Sequence, residues 1–129
     1  MDKILGKFDG IIYSAFRAVA GFLFMQHGIQ KIFGGLGGTM AQSYASMMGL
    51  AGFIELIAGI LIMVGLFTSI AAFLSSGLMA AAYFLAHVPK GFWPVLNGGE
   101  LAALFCFAFL YMAARGDGTI SLGRTIRRG

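Results

Sequence analysis

The chain has 129 residues, of which 59% are hydrophobic and 11% charged, and its mean hydropathy is +0.87. Soluble domains carry roughly a quarter of their residues as charges, so this composition excludes a soluble globule and indicates one integral membrane domain. The net charge of +4 does not point to nucleic acid, because six of the nine basic residues (Lys3, Lys7, Arg115, Arg124, Arg127 and Arg128) lie in the two tails.

A single cysteine, Cys106, excludes an intrachain disulfide and any CxxC redox pair, and with them membrane enzymes that pass electrons through paired thiols. Its place in an apolar run reads as a small buried hydrophobe.

Residues 1–10 form a polar head of alternating sign (Asp2, Lys3, Lys7, Asp9). Lys3, Lys7 and the small-residue run Ala18-Val19-Ala20 imitate a secretory leader, but Arg17 limits the unbroken apolar core to residues 11–16. That is shorter than the usual core of about 7–15 residues, so an uncleaved first span over 11–33 is expected. At about 100° per residue, Arg17, Gly21, Phe24, Gly28 and Lys31 fall on one stripe, with His27 beside it. The glycines permit close approach of a second helix, which turns the charges toward protein rather than lipid.

The glycine-rich connection 34–46 contains no charge, and its second half reads as a short interfacial helix. A second span is expected over 47–67 with one charge, Glu55, between Gly52 and Gly59 on the same face. The third span, 69–87, follows with almost no loop, giving a tight antiparallel hairpin. Residues 88–97 hold both prolines and the only tryptophan, Trp93, and suit an interfacial loop. A fourth span over 98–114 is near the lower limit for crossing a core of about 30 Å. Its Phe105, Phe107 and Phe109 spread around the helix and read as core or lipid-facing residues. A polar, basic tail ends the chain.

The expected fold is thus all-α, a four-helix transmembrane bundle. The positive tails place both termini on the cytoplasmic side. Depth then follows at about 1.5 Å per residue. His27, Lys31, Glu55, His87, Lys90 and Glu100 fall in the outer half, with Trp93 over them as part of a stiff lid. Arg17 lies alone toward the inner face, where Ser75, Ser76, Tyr111 or a lipid phosphate are its expected partners. His27, Lys31 and Glu55 are loosely echoed by His87, Lys90 and Glu100, as in a parallel repeat.

An unpaired carboxylate at mid-bilayer costs about 2.5–3.5 kcal/mol. Pairing Glu55 with Lys31 or His27, and Glu100 with His87 or Lys90, relieves much of that. Three readings of the cluster stand: a structural ion-pair network fixing register, a pocket for a quinone, lipid or small anion, and a path for protons or ions. A neutral imidazole beside a carboxylate suits proton relay to a quinone oxygen. A metal site from His27, His87, Glu55 and Glu100 is chemically conceivable, but no HxxxH or ExxH spacing supports one. Nucleotide binding has no glycine-rich loop behind it.

These motifs resemble the DoxX family of small four-helix bacterial membrane proteins. The likeness rests on Arg17, HGIQKIFGG (27–35), GFIELIAGI (52–60), AHVPKGFWPVLNGGE (86–100) and FLYMAARGDGTISLGR (109–124), and spans almost the whole chain. The family name comes from a subunit of a thiosulfate:quinone oxidoreductase, and some relatives look like membrane partners of redox enzymes. Arg17, His27, Lys31, Glu55, His87 and Glu100 stand on the family's recurrent polar positions. The family often ends in an SLD-like motif, whereas this chain reads Ser121-Leu122-Gly123. The resemblance implies a multi-pass protein of the bacterial inner membrane, a subunit or partner of a redox system without independent catalysis. The expected ligand site is His27, Lys31, Glu55, His87, Trp93 and Glu100, with quinone as the candidate cofactor and Arg17 as a structural charge. The lipid bilayer, a redox enzyme and a second copy of the chain are the candidate partners. The rival reading is a small scaffold or carrier whose charges are purely structural.

Overall fold

Helix α1 runs over Asp9–Phe33, preceded by a short helical lead-in from Asp2. Helix α2 covers Met47–Val64, α3 Thr68–Ala82, α4 Glu100–Arg115 and α5 Leu122–Arg128. The computed structural model describes residues 1–128, and among them there is no strand. Three helical segments, Asp2–Phe33, Met47–Val64 and Thr68–Lys90, are long and apolar enough to cross a membrane. The stretch expected as a fourth span forms α4, whose 16 residues extend only about 24 Å and which is not among those three segments.

The helices associate as two pairs. Helix α1 packs along α2, α3 packs along α4, and the narrower α2–α3 contact joins the pairs. The glycine stripe of α1 explains the first seam: Arg17, Gly21, Phe24 and Gly28 are all buried. A methyl group added to Gly21 would lie 2.4 Å from the Met63 nitrogen, so no side chain fits where the two backbones meet. Phe24 fills the centre between the pairs, with Phe109 at 4.7 Å and Phe105 at 5.7 Å between ring centroids. Phe107, by contrast, points outward with many other large apolar side chains, including Ile57, Ile70 and Phe73. This apolar belt fits a lipid environment.

Several boundaries differ from the expectation. Helix α2 stops at Val64 rather than 67 because Gly65 turns left-handed at φ 74° and returns its N–H to Leu61 and Ile62. Residues 65–67 then make the tight hairpin into α3. The connection 34–46 is built of turns, and its expected interfacial helix is absent. The Ala41 N–H goes to the Lys31 carbonyl at 2.8 Å, and the Tyr44 hydroxyl to the Ile32 carbonyl at 3.3 Å. The loop therefore caps open carbonyls of α1 as well as making turns of its own. The third span is not uniform either. After Ala82 it widens into a π-helical turn, Tyr83–His87, and then tightens into a 3₁₀ turn, Val88–Lys90.

The tail is structured. It folds back over the end of the bundle that carries both chain termini, called here the terminal end. The Tyr13 hydroxyl donates to the Gly116 carbonyl at 2.6 Å, and the Gly123 N–H reaches the Gly65 carbonyl at 2.9 Å. Asp117 accepts from the Thr68 N–H at 2.9 Å and from Arg127 at 2.9 Å. The Asp117 carboxylate also packs closely on Gly123: a methyl group there would fall 2.3 Å from its oxygen.

Candidate functional site

Opposite the terminal end, where α1, α2, α3 and α4 approach the long loops, a cavity of about 250 Å³ lies between the two helix pairs. One wall is Phe24, His27, Lys31 and Glu55; the other is Met79, Ala82, His87, Gly98, Leu101, Ala102 and Phe105. Most of the lining is apolar, and four polar side chains are gathered in it.

Glu55 is the deepest of them, 2% exposed, because Gly52 and Gly59 on its own helix face draw α1 close on either side of it. The Lys31 ammonium meets Glu55 Oε1 at 2.6 Å. Glu55 Oε2 is buried without a hydrogen-bond partner, although buried polar atoms are nearly always paired. On the opposite wall the π-helical turn sets His87, whose Nδ1 faces the Asn97 carbonyl at 3.1 Å. A carbonyl only accepts, so Nδ1 carries the proton and donates. Such turns interrupt the regular ladder and recur at functional sites.

Four of the expected site residues, His27, Lys31, Glu55 and His87, thus come together, and the Lys31–Glu55 pair is observed. The other two do not join them. Glu100 is exposed and forms no ion pair among the described residues, so its expected pairing with His87 or Lys90 is corrected. It stands in the first turn of α4, where a helix N-terminus favours a carboxylate in the open. Trp93 is 62% exposed and packs edge-on against Phe92 at 5.2 Å, outside the cavity. The loop is braced internally by Asn97, which is 2% exposed. Its side-chain amide donates to the Gly91 carbonyl at 3.0 Å and accepts from the Gly99 N–H at 2.8 Å. The echo between the hairpins consequently breaks at its last position. Phe105 is a buried core residue, one of the two readings expected of it, and it also lines the cavity.

Arg17 is 3% exposed and also differs from expectation. Its guanidinium contacts none of Ser75, Ser76 and Tyr111. Nε donates to the Ile62 carbonyl at 2.9 Å, Nη1 to the carbonyls of Asp117 and of Ile120 at 3.0 Å, and Nη2 to that of Met63 at 3.4 Å. The serines are satisfied elsewhere, Ser75 on the Ala71 carbonyl and Ser76 on that of Cys106, each at 2.7 Å. Tyr111 turns to Arg115 at 2.9 Å, and Arg115 pairs with Asp9 and lies 4.3 Å over the Tyr13 ring.

Sequence reasoning missed Asn97 and Asp117. Asn97 stood in an Asn-Gly-Gly run that reads only as a turn. Asp117 stood in a tail read as polar and basic throughout. Among the described residues, no three His, Cys, Asp or Glu side chains gather to hold a metal ion.

The DoxX family pattern matches residues 12–88, a stretch that contains His27, Lys31, Glu55 and His87. A protein of Haemophilus influenzae, described as uncharacterized, is 40% identical over 125 residues, covering 92% of this chain and 92% of its own length. No solved structure matches. The chain belongs to the DoxX family.

Proposed function

We propose that this DoxX-family chain is a small membrane subunit of a bacterial redox system and that its cavity receives a quinone-type head group. The observation that carries the reading is the cavity itself, a largely apolar chamber with the Lys31–Glu55 pair and two imidazoles on its walls. Ligand sites commonly combine such an apolar lining with a few convergent polar groups. Lys31 supplies a donor for a ring oxygen, while Phe24 and Phe105 face the ring. Lys31 and Glu55 cancel in charge, which disfavours a free anion. In this reading catalysis belongs to a partner enzyme.

In this reading α4 is a fourth crossing, both termini are cytoplasmic, and the inner membrane is the location. The basic residues of the head and tail support that orientation. Cysteine labelling of a chain with Cys106 replaced tests it. Positions 40 and 92 should react from outside intact cells, and 2 and 128 only after lysis.

The ligand reading is tested on protein purified from native membranes, by mass spectrometry of its extract and by binding of a short-chain quinone. Bound quinone is expected, weakened by His27→Ala and by His87→Ala and unaffected by Phe107→Leu. Absence of bound quinone together with absence of binding would favour the rival reading, a scaffold with structural charges. Arg17 supports that rival, being a buried charge satisfied wholly by backbone carbonyls.

A further inference from the structure

Resting on the ligand pocket proposed above, we infer that the cavity holds the reduced, dihydroxy-aromatic form of its ligand in preference to the oxidised quinone. The polar atoms of the cavity are unequal in what they ask of a guest. Glu55 lines the cavity, and its Oε2 is buried with no partner. Its sister oxygen is engaged by Lys31 at 2.6 Å. A carboxylate paired in this way accepts and does not donate. The free oxygen therefore asks for an O–H or N–H. His87 asks for the same. Its Nδ1 proton is committed to the Asn97 carbonyl, so in the neutral ring the remaining nitrogen, Nε2, is a bare acceptor. Donors to spare come from Lys31 and from one ring nitrogen of His27.

A quinone carbonyl can accept from Lys31 but brings no proton to Glu55 Oε2. It leaves that oxygen orphaned and sets a second electron-rich oxygen near it. A hydroxyl meets both neighbours at once, accepting from Lys31 and donating to Glu55. Two hydroxyls across one ring are complementary to acceptors on opposite walls of the cavity, Glu55 on α2 and His87 after α3. Binding requires no electron transfer by the protein. It shifts the ligand's own equilibrium toward the reduced form through differential affinity alone.

The test compares ubiquinone-1 with its two-electron-reduced form, ubiquinol-1, under anaerobic conditions, on the full chain in lipid nanodiscs by equilibrium dialysis. A hydrogen bond to a charged acceptor sets the expected preference for ubiquinol-1 at about tenfold or more. Glu55→Gln offers an amide N–H that can serve a carbonyl, and should bring the two affinities within about threefold of each other. The ratio in the unaltered protein decides by itself, so a poorly folding variant leaves the test intact. Ubiquinone-1 binding as tightly as ubiquinol-1, or more tightly, overturns this inference and leaves the pocket standing. Binding of neither form overturns the pocket itself. A full preference retained in Glu55→Gln removes Glu55 as its source and overturns the assignment made here.

Discussion

Gly28 and Gly52 face each other across the α1–α2 seam: a methyl group built on Gly28 would lie 2.8 Å from the Gly52 carbonyl oxygen and 2.5 Å from the Leu56 nitrogen. Seven residues earlier on α1 and seven later on α2, Gly21 stands 2.7 Å, by the same measure, from the Gly59 carbonyl oxygen. Two antiparallel helices are thereby pinned at two points on either side of Glu55. The obstacles are backbone atoms, which cannot swing aside. Gly21→Ala and Gly28→Ala should each destabilise the protein by about 1–3 kcal/mol. Gly77→Ala is the control, since nothing lies within 4 Å of the added methyl, and it should be neutral or stabilising by up to about 1 kcal/mol. Thermal unfolding in detergent measures all three. Equal loss from Gly77→Ala would show that the seam is not special.

Arg17 should not tolerate lysine. The planar fork reaches carbonyls on α2 and in the tail together, whereas a single ammonium cannot. Arg17→Lys is expected to cost about 2–3 kcal/mol through lost charge-assisted bonds and to expose residues 116–128 to protease. Protease resistance equal to that of the parent would mean that the guanidinium does not hold the tail.

Lys31 and Glu55 should couple. Lys31→Met strands a buried carboxylate, a worse outcome than Lys31→Met combined with Glu55→Gln. A double-mutant cycle in detergent unfolding should return a coupling of about 1–3 kcal/mol. Strict additivity would show that the two side chains act independently.

Asp117 gives the terminal end a pH dependence. Burial pushes its carboxyl up, but the Thr68 backbone N–H and the Arg127 guanidinium outweigh burial and hold it below its ordinary value of 3.8. A carboxyl depressed in the folded state contributes stability that is complete above the unfolded value and is lost as pH falls through the folded one. Unfolding temperatures should therefore separate parent from Asp117→Asn at neutral pH and converge below about pH 4. A constant gap between them down to pH 3 would assign the effect to packing instead.

What the sequence disclosed follows from periodicity. The stripe from Arg17 to Lys31 and the Gly52, Glu55, Gly59 face were legible because helical spacing alone aligns them. Four members of the candidate site followed, since helices α1 and α2 and the end of α3 carry them to one level. Periodicity says nothing about loops. Trp93 and Glu100 were placed by proximity in sequence, while their directions depend on how Asn97 folds its loop and on where α4 begins. Arg17 failed for a related reason: its acceptors are main-chain carbonyls, which no residue type advertises. The π-helical turn at Tyr83–His87 was equally silent, as its widened ladder leaves the local composition unchanged.

The guanidinium of Arg17 also imposes an order on biogenesis. Arg17 leaves the ribosome first, the carbonyls of Ile62 and Met63 come after it, and those of Asp117 and Ile120 later still. Through most of translation the first helix therefore carries a cation without its full set of acceptors. A nascent chain arrested before residue 117 is left with part of that charge unsatisfied in its first helix. The first helix thus depends for the neutral seating of its cation on main-chain oxygens about 100 residues further along the chain.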